Sequence, residues 1–105
     1  MSSTIKYRLR PANGYSARNI LKPVPFVCLA PDAREVFIMG DFNEWQPATH
    51  PMQRMTDGAW RIEVPLNHGH HRYLFVIDGE PALDPQAQGV ARDERDGRVS
   101  LVAVS

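Results

Sequence analysis

The chain has 105 residues, of which 43% are hydrophobic, and its 12 basic and 12 acidic side chains give a formal net charge of zero. This length and composition suit one globular domain with its own core and argue against a disordered chain. The balanced charge argues against nucleic acid and anionic membranes as partners, since both attract proteins with a basic excess.

The only cysteine, Cys28, lies between Val27 and Leu29 and has no second cysteine with which to form a disulfide. We expect a buried thiol that packs as a small hydrophobic group, which suits a reducing compartment. The N-terminus lacks the continuous apolar stretch of a signal peptide, and no segment approaches the roughly 18 apolar residues of a membrane span. A cytoplasmic location is therefore expected, with no membrane association.

The first segment differs from the rest of the chain. Residues 5–9 (IKYRL) alternate apolar and polar side chains, which predicts a short edge strand. Residues 10–22 contain an Asn-Gly turn pair and predict a loop or a loose arm. We therefore divide the chain into an N-terminal arm or edge strand, residues 1–21, and a domain, residues 22–105.

Three apolar segments between turn signals predict strands in the first half of the domain. Residues 24–30 are apolar, and Pro25 near their start indicates an edge strand or a first strand position. Residues 35–39 are apolar on both faces, which predicts a central strand. Residues 59–64 alternate apolar and polar side chains, and Trp60 is one of the apolar set that we expect to face the core.

The longest strand candidate is residues 70–77 (HHRYLFVI), with Tyr73, Phe75 and Ile77 on one face. The Asp78-Gly79 pair that follows predicts a hairpin with a short return strand.

The last part of the chain predicts a loop and a strand. Residues 86–97 are polar and of mixed charge, which indicates a solvated loop, and residues 98–104 form a final apolar strand. About seven short strands separated by turns, with no helical periodicity, predict an all-β fold made of two antiparallel sheets.

Three segments together resemble carbohydrate-binding module family 48. They are residues 33–45 (AREVFIMGDFNEW), 57–66 (DGAWRIEVPL) and 70–79 (HHRYLFVIDG). This family includes the glycogen-binding domain of the AMP-activated protein kinase beta subunit and the early-set domains of isoamylases and branching enzymes. The resemblance spans residues 22–104 and implies an immunoglobulin-like early-set sandwich that binds glycogen or starch-type α-1,4-glucan.

The resemblance also implies roles for the GDFNEW residues. Trp45 would form part of a platform for glucose, because a flat indole covers the apolar C–H face of a pyranose ring. The alternative is a Trp45 packed against its own loop or a partner protein. Phe42 is expected to point into the core, and Asn43 to hold the turn through side-chain bonds to the backbone. Gly40 marks either a close backbone approach or a positive φ. Asp78 and Gly79 are likewise expected to have a structural role, in the turn after the longest strand.

The other expected sugar contacts depart from the family pattern. Leu74 stands where binders carry a lysine, and Glu80 and Pro81 stand where a second tryptophan follows the hairpin turn. Ser100 is the polar residue nearest to an expected asparagine on the last strand. Arg72 shares the presumed outer face and is either a replacement sugar donor or a solvated cation. The predicted site is therefore Trp45, Arg72, Leu74, Glu80, Pro81 and Ser100, and its affinity is expected to be weak.

Other chemistries have little support in the sequence. Adjacent His70 and His71 point to opposite faces of a strand, and no cysteine or carboxylate stands at metal-site spacing, so no metal is expected. There is no nucleophile elbow or phosphate loop, and a small sandwich offers little room for paired carboxylates, so we expect no enzyme and no cofactor.

Two functional hypotheses follow. The leading one is a non-catalytic module that binds α-glucan polysaccharide or oligosaccharide. The second is a protein-interaction or regulatory sandwich with a degenerate sugar site. In that case Leu74 and Pro81 would form an apolar patch, and the module would act on a separate enzyme or kinase.

Overall fold

The computed structural model describes residues 20–93 and 97–105. Within them, antiparallel strands form two sheets, which confirms the predicted all-β sandwich, and one turn of 3-10 helix spans Asp41–Asn43. The strands are β1 (Lys22–Leu29), β2 (Val36–Gly40), β3 (Gln53–Arg54), β4 (Ala59–Leu66), β5 (Gly69–Ile77), β6 (Glu80–Ala82), β7 (Gly89–Asp93) and β8 (Gly97–Val104).

One sheet has the order β1-β4-β3, and the other has the order β2-β5-β8-β7 with β6 beside β5. The main core lies between the two sheets, because alternate side chains of β1, β4 and β5 face inward. Its buried members are Phe26, Cys28, Ala33, Val36, Ile38, Met52, Trp60, Val64, Leu66, Tyr73, Phe75 and Val104.

Two core residues behave as their neighbours in the sequence predict. Trp60 is 5% exposed, and its Nε1 donates a hydrogen bond of 2.9 Å to the carbonyl oxygen of Ala30. The Cys28 thiol is buried, and this burial, followed by the charge of Asp84, raises its pKa. Cys28 is therefore a packing residue, because a reactive cysteine needs a lowered pKa.

The hairpin after β5 is confirmed. Asp78 and Gly79 have φ values of 49° and 87°, and Ile77 pairs with Glu80 across them. Positive φ at both central residues is the geometry of a type I′ turn, which the Asp-Gly pair favours. Asp78 Oδ1 also accepts hydrogen bonds from the backbone N–H groups of Arg34 and Glu35, at 2.8 and 3.0 Å. The turn thus holds the chain that leads into β2.

The prediction that residues 35–39 form a central strand is wrong, since β2 lies at the edge of its sheet. Its free edge is covered by the chain after the Trp45 loop, through bonds from Ile38 N to His50 O (3.1 Å) and from Met52 N to Val36 O (2.8 Å). Its second apolar face packs into a separate cluster on the outside of the sheet. Because both faces of β2 are packed and its outer edge is covered, its residues are as apolar as those of a central strand.

The prediction of a solvated loop over residues 86–97 is wrong in part, because Gly89–Asp93 form strand β7 beside β8. Backbone pairing to β8 holds this strand, and its alternation of half-buried and exposed residues leaves little apolar signal in the sequence. The two-residue strand β3 was likewise not predicted.

The predicted strand at residues 5–9 lies outside the described residues. The division into residues 1–21 and 22–105 stays a prediction. In the part of the chain that the structure describes, no helix has the length and apolar character needed to cross a membrane.

Tyr73 makes stability sensitive to alkaline pH. Its hydroxyl donates a 2.6 Å hydrogen bond to Asp84 Oδ2, and burial, then this carboxylate, raises its pKa above the ordinary value of 10.0. Below pH 10 the phenol keeps its proton in both the folded and the unfolded chain, so its contribution to the free energy of unfolding does not change with pH. Above pH 10 the unfolded chain loses the proton first, so this group should lower stability by about 1.4 kcal/mol per pH unit.

Urea denaturation of the wild type and a Tyr73→Phe variant between pH 8 and pH 11 measures this effect. The wild type should lose stability more steeply than the variant above pH 10. Parallel profiles would show that the folded state does not hold the phenolic proton.

Candidate functional site

The Trp45 loop, residues 40–47, leaves the end of β2 and carries the candidate platform residue. Asn43 holds it, as predicted, since its Oδ1 accepts from Gly40 N (3.0 Å) and its Nδ2 lies 3.2 Å from the Gln46 carbonyl oxygen. The Phe42 ring packs against the core, 6.5 Å from the centroid of Phe26. The GDFN residues therefore set the loop conformation.

Gly40 has a φ of −173°, so the predicted alternative of a positive φ is wrong. The alternative of a close backbone approach is confirmed. A Cβ at this position would lie 2.5 Å from the carbonyl oxygen of Arg72 and 2.5 Å from Cε2 of Phe42. Only glycine allows β2 to end this close to β5.

Trp45 is half-buried, which lies between the two alternatives for this residue. Its indole packs against an outer cluster, defined as Met39, Leu74, Val76 and Val99, on the face of the five-stranded sheet that points away from the core. Glu44 and Trp45 both adopt left-handed backbone, with φ values of 57° and 58°, and Trp45 N donates to Gly40 O at 2.9 Å. The loop thus turns back and lays the indole against the sheet.

Two predicted site residues share this outer face with Trp45. Arg72 is exposed two positions before Leu74 on β5, so their side chains point the same way. Pro81 is exposed and pairs with Val76 of the outer cluster, and directly opposed residues share a face. Leu74 is on this face too, but it is only 3% exposed and supports the surface rather than forming it.

Two other predicted residues lie elsewhere. Ser100 pairs with Tyr73 on the core side, is 0% exposed, and its Oγ accepts a 2.8 Å hydrogen bond from Asp84 N. Its side chain is therefore not available to a ligand on the surface. Glu80 is exposed, but it pairs with the core-facing Ile77 and so points away from the outer face.

A contact between the Trp45 loop and β5, made by Asp41 and His71, was not predicted. Asp41 Oδ2 accepts a 3.0 Å hydrogen bond from Arg72 N, and its Oδ1 lies 3.1 Å from His71 Nδ1. His71 Nε2 donates to the carbonyl oxygen of Asn67 at 3.0 Å. The partners are about 30 positions apart in sequence, so no local pattern could have revealed the contact.

Two further features of the described residues concern metal binding and cavities. Within residues 20–93 and 97–105 no group of three or more histidine, cysteine or acidic side chains could hold a metal ion. A cavity of about 300 Å³ lies along β1, between Cys28, Phe75 and Leu83. Its walls are mainly apolar, and none of the residues of the outer cluster lines it.

Comparison with known proteins gives consistent results. The family model of carbohydrate-binding module 48 (isoamylase N-terminal domain) matches residues 13–93. The 1,4-alpha-glucan branching enzyme GlgB of Nitrobacter winogradskyi is 42% identical over 81 residues, which is 73% of this chain and 11% of the enzyme.

Two further branching enzymes are similar. GlgB of Cupriavidus pinatubonensis is 42% identical over 85 residues, 75% of this chain and 11% of that enzyme. GlgB 2 of Xanthomonas campestris pv. campestris is 39% identical over 75 residues, 69% of this chain and 10% of that enzyme. The chain spans about a tenth of the length of the curated relatives it matches.

Proposed function

Because this chain belongs to the carbohydrate-binding module 48 family, we propose that it is a non-catalytic module that binds glycogen- or starch-type α-1,4-glucan. One observation carries the proposal. Trp45, on a hydrogen-bonded loop, is half-buried against the outer face of the larger sheet. A half-buried indole that packs on an aliphatic cluster can offer its exposed part to the apolar face of a glucose unit.

The proposed site combines three residues of the outer face. Trp45 stacks on the sugar, the exposed Arg72 guanidinium donates hydrogen bonds to hydroxyl groups, and Pro81 extends the apolar surface. Leu74 supports this surface from below, with the rest of the outer cluster. Ser100 and Glu80 are left out of the proposed site because of their positions.

A site with one aromatic ring and one cation should bind weakly. Stacking of one ring contributes about 1 kcal/mol beyond its buried area, and each hydrogen bond about as much. Dissociation constants on the order of 1 mM, which correspond to about 4 kcal/mol, are expected for short oligosaccharides. A polysaccharide presents many equivalent glucose units to the single site, which raises the apparent affinity per polymer molecule.

Native gel electrophoresis in the presence of glycogen tests the proposal. The wild type should be retarded by the polysaccharide, and a Trp45→Ala variant should lose about tenfold in apparent affinity because the stacking surface is gone. Leu29→Ala is a matched control, since Leu29 is an apolar residue, 70% exposed, on the other sheet.

If the wild type, Trp45→Ala and Leu29→Ala all migrate equally with and without glycogen, the proposed function is wrong. Retarded migration of all three proteins to the same extent would place glucan binding elsewhere on the molecule.

The second candidate function is a protein-interaction module that contacts a separate enzyme or kinase. Leu74 is buried and cannot form the apolar patch expected with Pro81. The observation that favours this candidate is instead the edge strand β1, where Val27 and Leu29 are 38% and 70% exposed. Size-exclusion chromatography with light scattering tests self-association through this edge, and a strictly monomeric profile at high concentration would contradict it.

A further inference from the structure

Asp41 occupies the point where β2 parts from β5. The last pair of the β2–β5 ladder is Gly40 with Tyr73, and the chain then enters the turn of 3-10 helix. Arg72 is the next residue along β5, and its N–H donates to Asp41 Oδ2 at 3.0 Å. The carboxylate therefore takes the place of a strand acceptor and extends the pairing by one residue.

The second carboxylate oxygen lies against the same strand. Asp41 Oδ1 lies 3.1 Å from His71 Nδ1, and the other ring nitrogen of His71 donates to Asn67 O at 3.0 Å. One carboxylate thus contacts two successive residues of β5 and, through His71, the turn before that strand. Gly40 makes this possible, since any side chain there would collide with the carbonyl oxygen of Arg72.

The loop that these contacts anchor has a backbone that needs support. Glu44 and Trp45 are consecutive non-glycine residues with left-handed φ values of 57° and 58°. Such conformations persist when the surrounding contacts determine them. Trp45 N donates to Gly40 O at 2.9 Å, directly beside Asp41, so the orientation of the indole depends on where residues 40 and 41 are held.

We propose that Asp41 is a positioning residue of the glucan site, which fixes the loop that carries the Trp45 indole against the strand residue that carries the Arg72 side chain. This inference rests on the proposed function. Asp41 itself need not touch the sugar. Its carboxylate connects the loop that carries the stacking ring to the strand that carries the cation, so a single side chain sets the relation between the two halves of the site.

The experiment compares Asp41→Ala with Asp41→Asn in the full chain. Alanine removes both contacts. Asparagine keeps an oxygen that accepts from Arg72 N, and its amide can donate to His71 Nδ1 while His71 Nε2–H still serves Asn67 O. Asp57→Ala is the matched control, because Asp57 also accepts a backbone N–H within a turn (Ala59 N, 3.0 Å) but lies away from the outer face.

Two readouts separate positioning from stability. The first is glycogen affinity on native gels, where Asp41→Ala should bind about five- to tenfold more weakly and Asp41→Asn within twofold of the wild type. The second is iodide quenching of tryptophan fluorescence. Trp60 is buried, so the accessible fraction reports on Trp45. We expect it to rise in Asp41→Ala and to remain unchanged in Asp57→Ala and Asp41→Asn.

Unchanged affinity and quenching in a folded Asp41→Ala would overturn the inference, as would equal effects in Asp57→Ala. If Asp41→Ala does not fold, His71→Gln removes part of the anchor and should give a smaller change of the same sign, while no change would overturn the inference. A wild type that ignores glycogen rejects the proposed function. The quenching comparison then still decides whether Asp41 positions Trp45.

Discussion

Replacing Asn43 with alanine should lower the free energy of unfolding by about 2–3 kcal/mol and release the loop that carries Trp45. The Asn43 Oδ1 accepts from Gly40 N at 3.0 Å. Four acceptor atoms lie within hydrogen-bond distance of Asn43 Nδ2, and its two hydrogens can bond two of them at a time. These acceptors are Ile38 O, Gln46 O, Thr49 Oγ1 and His50 Nδ1, at 3.4, 3.2, 3.1 and 3.2 Å.

The expected loss of stability is large because backbone partners of Asn43 would lose their hydrogen bonds. Asn43 is half-buried, and alanine would leave Gly40 N and the carbonyl oxygens around it without their bonds inside the loop. Each such loss costs about 1 kcal/mol, and the left-handed backbone at Glu44 and Trp45 would lose its support as well. Glycogen binding should fall together with stability, since the indole would no longer be held against the sheet.

Urea denaturation provides the measurement, with two comparison variants. Asn43→Asp keeps the oxygen that accepts from Gly40 N and removes both donor hydrogens, so its loss should be intermediate. Asn67→Ala should change stability by less than about 0.5 kcal/mol, since Asn67 is exposed and contributes its backbone carbonyl to the His71 bond. An Asn43→Ala variant as stable as Asn67→Ala would contradict this role for the side chain.

The sequence predicted those features that depend on neighbouring residues. Alternation in residues 59–64 and 70–77 identified β4 and β5 with the correct faces, because the period of a strand is local. The Asp-Gly hairpin and the Asn43 turn were predicted for the same reason, since each is a short-range preference of backbone and side chain. The family resemblance agreed with the two-sheet fold already predicted from the strand pattern, and it implied a role for Trp45.

The features that were missed depend on pairing between distant residues. Ser100 was expected at the surface, but its register with Tyr73 turns it into the core. A shift of one residue would have reversed that side, and the sequence alone does not fix it. Strand β7 and the edge position of β2 are set by tertiary pairing in the same way. The Asp41 contacts with β5 span about 30 residues and leave no local signal.

Trp45 illustrates why one residue can fit two interpretations. An exposed platform and a packed side chain were alternative predictions for Trp45. A half-buried indole fits both, because one part of it packs on the sheet and another part is exposed. Leu74, which stands where the resemblance implies a lysine, belongs to the outer cluster against which this ring packs. An aliphatic side chain at this position supports the indole from behind but offers a sugar no hydrogen-bond donor, which favours stacking over polar recognition.

Replacing Phe75 with alanine should have the largest effect on stability, a loss of about 3–5 kcal/mol. Phe75 is 1% exposed at the centre of β5, where it pairs with Ile38 on one side and Ala82 on the other. Its ring meets that of Tyr73 edge to face, with centroids 5.9 Å apart. Truncation would leave a cavity between the two sheets, and domains of this size have only about 5–15 kcal/mol of stability in total.

Phe37→Ala provides the matched control, since it makes the same substitution on the paired strand β2 at a half-buried outward position. Its neighbours can close over a missing ring more easily, and we expect a loss of about 1–2 kcal/mol. Urea denaturation of both variants measures the difference. Equal losses would mean that the outer cluster is packed as densely as the core between the sheets. In that event the buried cluster behind Trp45 would be a second core, and a sugar-binding surface there would rest on a rigid support.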